Sequence, residues 1–337
     1  MDTANETAEP AAPPSAEALG QPTVGRRMPD FFVIGHPKCG TTALHGMLAK
    51  HPQIFVGDKE PRYFATELYE RDIPRPGGSP QTPEQYMAWF ARARPEQKIG
   101  DISPAYLWSK SAAPMIAEAS PEAKLIGIFR EPASYLASMH RQWLKVYAES
   151  EIDFEKALAL EDSRREGRNI PADTFWPRSL LYSEHVRYVE QLRRYDAHFS
   201  PEQKLVLIYD DYRNDNEATL SKILDFIGVE PQPVVNVHEA NPSVQLRSRR
   251  GNDIVRRLLI PSGPVSRTLK KTITTLTPLR VRRKTLRTVR KNLLFGDVTP
   301  PSEQFMTDLR RRLKPEVVAL SEYLDRDLVA LWGYDKL

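Results

Sequence analysis

The sequence predicts an α/β fold, a mostly parallel sheet flanked by helices with a basic helical segment near the C-terminus. Three observations predict it. Short apolar runs at 31–35, 53–56, 98–101, 124–129 and 204–209 alternate with stretches of helical periodicity, the pattern of strands joined by crossover helices. The first of them, Phe31-Phe32-Val33-Ile34-Gly35, runs through a tight glycine loop straight into a helix over Thr41–Lys50, where Leu44, Met47 and Leu48 recur at helical spacing. At 337 residues with 40% hydrophobic content, the chain can bury one large core. The expected organisation is a disordered tail over 1–28, rich in Ala, Pro and Glu, and a single domain over 29–337 with a basic excursion at 245–295.

In chain order, the first element carries the most information. Backbone N–H groups in the first turn of a helix lack intrahelical partners and sit at the positive end of the helix dipole, so a strand–loop–helix turn of this size cradles phosphate or sulfate oxygens. Gly35 and Gly40 allow close approach, and Thr41 and Thr42 add hydroxyl donors. This makes the fold P-loop-like, with one difference. A nucleotide triphosphatase places lysine directly after the second glycine, whereas here Thr41 holds that position and the loop lysine is Lys38, two residues before Gly40.

The short run Ile54-Phe55-Val56 follows, then Lys59-Glu60-Pro61-Arg62-Tyr63-Phe64. The next segment of interest is Gly100-Asp101-Ile102-Ser103-Pro104-Ala105-Tyr106. Lys124-Leu125-Ile126-Gly127-Ile128-Phe129 is a compact apolar strand ending in Arg130 and Glu131, with Pro132 at the first position of a helix that contains Ser138. Leu205 to Asp211 can pass for a strand that ends in carboxylates.

Lys38-Cys39-Gly40-Thr41-Thr42 resembles the 5′-phosphosulfate loop of the sulfotransferases that use 3′-phosphoadenosine 5′-phosphosulfate (PAPS), bacterial and carbohydrate or heparan types included. The strand–Arg–Pro–helix–Ser arrangement of Arg130 and Ser138 resembles the family's 3′-phosphate site, in which the arginine forks onto phosphate and the serine completes the contact. Lys59-Glu60 with Phe64 resembles the Lys-Glu-x-x-x-Phe segment of members that act on sugar hydroxyls. The resemblance implies PAPS as donor, with no metal. Lys38, Cys39, Gly40, Thr41 and Thr42 would hold its 5′ end, Arg130 and Ser138 its 3′-phosphate, with Lys59 a further lining residue. It makes Glu60 the general base and Lys38 the group that stabilises charge on the departing phosphate oxygen.

Two departures stand out. Ile102 replaces a lysine common in the family's Ser/Thr-Pro-x-Tyr segment, leaving Ser103 and Tyr106 as the weaker matches. No clear Arg-Lys-Gly loop completes the 3′-phosphate site, and nothing in the sequence chooses among Arg247, Arg249 and Arg250 as substitutes.

Charge is unevenly spread. Between Gln245 and Lys291 there are fifteen Lys or Arg against one acid, Asp253, a net of +14; since the chain totals +4, the remainder carries −10. Such a segment calls for an anionic partner. Its basic amphipathic pattern suits an anionic membrane face and a lipid-linked acceptor; a solvated excursion along the domain's side fits equally. Nucleic acid is disfavoured, because the first aromatic after Gln245 is Phe295. No run approaches the ~20 apolar residues of a membrane span. A cytoplasmic enzyme, with peripheral attachment at the inner membrane face through 245–291, is the expectation.

The single Cys39 excludes an intrachain disulfide framework and reads as a small loop residue, His36 likewise, while His140 competes with Glu60 as a base. Two other classes remain open. One is a P-loop kinase or nucleotide triphosphatase using the carboxylates after Leu205. The other is a non-catalytic protein that binds membranes or polyanions through the basic segment.

Overall fold

The structure, a computed structural model, describes residues 27–69, 79–146, 148–171, 174, 176–231 and 300–337. Most of the expected tail, the basic segment, and Arg247, Arg249 and Arg250 lie outside the described residues.

Five parallel strands form one sheet: β1 (Phe31–Gly35), β2 (Ile54–Val56), β3 (Lys98–Ile102), β4 (Lys124–Phe129) and β5 (Lys204–Ile208), in the spatial order β2-β3-β1-β4-β5. β1 is central and buried along its whole length, which explains why it reads as an unbroken apolar run. It pairs with β3 through Phe32 and Asp101 and with β4 through Phe32 and Leu125. The chain leaves β1 toward β2 on one side and later builds β4 and β5 on the other. The carboxyl end of β1 is therefore a topological switch point, where open α/β sheets bind ligands.

Helix α1 (Thr41–Leu48) joins β1 to β2, α2 (Pro83–Ala88) precedes β3, and α3 (Ala112–Ala119) crosses to β4. After β4 come α4 (Pro132–Lys145), α5 (Phe154–Ala159), α6 (Glu161–Arg165) and α7 (Tyr188–Asp196). Pro132 opens α4, and the Glu131 carboxylate accepts from the Ala133 and Ser134 amides, an N-cap that fixes where Arg130 leaves the sheet. Beneath α4, Glu149 and Arg164 form an ion pair at 2.8 Å with side chains 0% and 1% exposed. Glu149 also accepts from the Ser150 and Glu151 amides and from the Tyr182 hydroxyl.

The late strand is shorter than the sequence suggests. β5 ends at Ile208, and Tyr209 begins α8 (Tyr209–Asn214), which leads into α9 (Asn216–Ile227). Asp210 and Asp211 thus occupy a first helical turn, where the dipole favours acids. The closing helix α10 (Glu303–Leu324) and the short α11 (Leu328–Leu331) lock onto this corner. Arg326 forks onto Asp211 at 2.5 and 2.8 Å, Trp332 Nε1 donates to Asp210 at 2.9 Å, and the Tyr334 hydroxyl donates to Glu131.

Candidate functional site

The β1–α1 loop is shaped by contacts at both ends. At Gly35 any side chain would strike Leu107, whose turn packs directly over the strand end. At Gly40 φ is +83°, and a Cβ would lie 2.3 Å from Cε1 of Tyr212, so only glycine fits the N-cap of α1. Among the described residues no side chain caps that terminus, and its first turn carries no acid. The orphan amides are left for an anion.

Two loop residues do not take part through their side chains. His36 is buried; its Nδ1 accepts from Trp108 Nε1 at 3.0 Å, and its ring packs among Phe129, Tyr135 and Tyr188. Burial, with His185 nearby, holds its pKa well below the usual range, so it is neutral. Cys39 is fully buried, and burial pushes its thiol up to about 12. The native protein is therefore expected to resist iodoacetamide at pH 8 and to react only on unfolding; rapid native alkylation, read by mass, would contradict the placement.

The loop's cations crowd together. Lys38 sits at φ 65°, and its ammonium has one hydrogen-bond partner among the described residues, Gln142 Oε1 at 3.5 Å. Burial lowers its pKa, and the charges of Lys145, Arg141, Arg130 and Lys59 lower it further. Lys38 and the four like charges that act on it repel one another, a repulsion that a polyanion would relieve. Arg130 enters from the end of β4: its Nε donates to Ser134 Oγ at 3.0 Å, its Nη1 lies 3.4 Å from the Lys38 carbonyl, and its guanidinium stacks 5.0 Å over the Tyr209 ring. Ser134, Ser138, Arg141 and Lys145 recur at helical spacing and form one stripe of α4. Arg130 uses Ser134 here; Ser138 is one turn further along.

Lys59 closes the opposite side. Its Nζ donates to Thr42 Oγ1 at 2.8 Å and Thr41 Oγ1 at 3.3 Å, and lies 3.3 Å from Glu60 Oε1. The other Glu60 oxygen takes Arg62, whose Nε donates at 3.0 Å. Burial alone would raise the Glu60 pKa, but the Arg62 and Lys59 charges and their hydrogen bonds outweigh it and hold the carboxylate below its usual range. Glu60 is thus an ionised acceptor two contacts from the loop threonines. The Arg62 amide donates to Ser103 Oγ at 3.0 Å, and Ser103 donates to the buried Asp101 at 2.7 Å. Burial raises Asp101 to about 6, against the pull of three donated hydroxyls.

A family model of the sulfotransferase domain matches residues 28–256. The chain belongs to the sulfotransferase-domain family. Carbohydrate sulfotransferase 15 of Mus musculus is 26% identical over 286 residues, covering 72% of this chain and 50% of that protein. Heparan sulfate glucosamine 3-O-sulfotransferase 6 of Homo sapiens is 28% identical over 230 residues, covering 66% and 58%. The chain thus spans about half the length of the curated relatives it matches. A sulfotransferase from Alicyclobacillus acidocaldarius superposes over 90% of this chain and 98% of its own with a TM-score of 0.62 at 21% identity, a likeness of fold.

In this sulfotransferase-domain chain, Lys38, Gly40, Thr41, Thr42, Lys59, Glu60 and Arg130 converge at the carboxyl end of the central strand β1, with Ser138 on the flanking helix α4. Sequence reading missed Ser134, Arg141, Gln142 and Lys145; counting in threes and fours from Ser138 along α4 finds all of them. His140 is turned elsewhere, its Nε2 2.8 Å from the Glu151 carbonyl and its ring against Phe154. The carboxylates that the kinase reading needs are engaged: Asp210 by Trp332, Asp211 by Arg326. Ile102 is buried and cannot replace the missing lysine. A cleft lined by Trp108, Trp176, Lys110, Arg178 and His185 adjoins the site, since Arg62 stacks 4.8 Å over the Trp176 ring.

Proposed function

We propose that this chain transfers the sulfuryl group of PAPS to a hydroxyl of a sugar, lipid-linked or other small acceptor. One observation carries the reading: Lys38, Lys59 and Arg130 meet at an uncapped helix N-terminus, the charges of Arg141 and Lys145 act on the same Lys38, and Glu60 is held beside Lys59. That cluster fits a ligand carrying two separated anionic groups. When bound, the donor supplies a sulfuryl group whose sulfur bonds to the acceptor oxygen as its bond to the 5′-phosphate oxygen breaks.

The residues divide the work. The α1 amides, Thr41, Thr42 and Lys38 hold the 5′ end, and Arg130 with the α4 serines holds the 3′-phosphate. Glu60 takes the proton of the attacking hydroxyl, which a carboxylate ionised at neutral pH can accept. Lys38 offsets the negative charge left on the phosphate side, the step at which a half-buried ammonium contributes most. The products are a sulfate ester and 3′-phosphoadenosine 5′-phosphate. The carbohydrate-directed names of the relatives favour a sugar hydroxyl.

The test is transfer of radiolabel from [35S]PAPS to a panel of simple sugars, lipid-linked sugars and heparan sulfate, without magnesium. Transfer is expected in the wild type, with Lys38→Ala reduced by roughly 10²–10³-fold, the scale for losing one preorganised charge-stabilising donor. Magnesium-dependent ATP turnover in place of transfer would overturn the proposal.

A further inference from the structure

The segment that carries Glu60 has a backbone that side chains rarely adopt. Five described non-glycine residues have φ in the left-handed region, and three of them, Lys38, Glu60 and Arg62, lie in the site. Such conformations persist only where the surroundings over-determine them. For Arg62 the determinant is visible: its amide donates to Ser103 Oγ at 3.0 Å.

Ser103 is fully buried, and its hydroxyl has one proton and two lone pairs. The proton goes to Asp101 Oδ1 at 2.7 Å, which turns the lone pairs toward Arg62. Asp101 cannot turn away, because the Tyr86 and Tyr106 hydroxyls both donate to its Oδ2 at 2.8 Å. The donor direction is thus set from the core outward, through β3, to the residue whose guanidinium grips Glu60.

We propose that Asp101 and Ser103 are positioning residues for Glu60. The Asp101 carboxylate orients the Ser103 hydroxyl, the hydroxyl fixes the Arg62 amide, and the backbone so held sets the Glu60 carboxylate between Arg62 and Lys59. The inference rests on the reading of Glu60 as the base.

The experiment compares Ser103→Ala and Ser103→Thr, each alone and combined with Glu60→Gln. Three quantities are read: hydrogen exchange at the Arg62 amide, release of 3′-phosphoadenosine 5′-phosphate from PAPS with water as acceptor, and calorimetric binding of that bisphosphate. Ser103→Ala is expected to speed Arg62 exchange and lower kcat each by about tenfold, with KM for PAPS and bisphosphate Kd within about twofold, and to add nothing in the Glu60→Gln background, as for residues acting as a unit. Ser103→Thr keeps the hydroxyl and restores most of the loss. If Ser103→Ala does not fold, Ser103→Cys, with its weak donor and acceptor, carries the same readouts.

An unchanged kcat, or an equal loss with and without Glu60, overturns the inference and leaves the network a purely structural tie. Glu60→Gln without effect on turnover overturns the glutamate reading itself, and this inference with it. Loss of turnover in Glu60→Gln beside a harmless Ser103→Ala overturns the inference alone.

Discussion

Glu60→Gln is expected to lower sulfuryl transfer by roughly 10²–10⁴-fold, the range for removing a positioned general base, while binding of 3′-phosphoadenosine 5′-phosphate changes little. The amide keeps the size of the carboxylate but cannot take the acceptor's proton. In the proposed site, donor binding rests mainly on the loop amides, Lys38 and Arg130, none of which contacts Glu60 directly. The pH dependence follows from the same contacts. Arg62 and Lys59 hold Glu60 below the ordinary carboxylate value of 4.5 despite its burial. The ionised form is therefore present through neutral pH, and titration of Glu60 itself lowers the rate only as pH drops below that value, any limb nearer 6 belonging to Asp101. A wild-type profile with its acid limb near neutrality, or a Glu60→Gln enzyme of normal turnover, would contradict the assignment.

The second large effect concerns the fold. Glu149→Gln leaves the Arg164 guanidinium buried without its counter-charge, and breaking one half of a buried pair costs roughly 3–5 kcal/mol. The amide oxygen can still accept from Arg164 but carries no charge, and the bonds from Arg164 to the Ala157 and Asn169 carbonyls, each 3.3 Å, supply none either. Against a typical total stability of ~5–15 kcal/mol, the urea midpoint should fall steeply. The double variant Glu149→Gln/Arg164→Met should recover part of the loss, because a packed apolar pair avoids the desolvation penalty. A midpoint shift worth less than ~1 kcal/mol, the scale of an exposed pair, would show that water reaches Arg164.

The fold was legible because its central strands are buried on both faces. β1 and β4 read as unbroken apolar runs, and the loop after β1 carried its own glycine and threonine signals. Arg130 was found because a strand end followed by proline marks the switch from sheet to helix. The end of β5 was misread for an equally physical reason. Tyr209, Asp210 and Asp211 have no local signal against extending the strand, and the contacts that settle them, Arg326 and Trp332, come from more than a hundred residues away.

The candidate site was legible in its anchors and not in its links. Lys38, Glu60 and Arg130 each stood in a recognisable local pattern. Lys59's reach to Thr41 and Thr42, and the Asp101–Ser103–Arg62 chain, depend on how β3 lies beside β1. The Arg130–Ser134 bond follows from the rise of α4, which brings Ser134 against the strand end and leaves Ser138 one turn further along.

The most direct test of the central claim, a site built for a nucleotide with separated 5′ and 3′ anions, is a calorimetric titration. Wild type and Arg130→Ala would each be titrated with 3′-phosphoadenosine 5′-phosphate and with ATP plus magnesium. The bisphosphate should bind the wild type tightly and weaken by roughly 10–100-fold in Arg130→Ala, the loss of a charge-assisted bond worth ~1.5–3 kcal/mol, with no comparable binding of ATP. Preference for ATP, or equal bisphosphate affinity with and without Arg130, would contradict it.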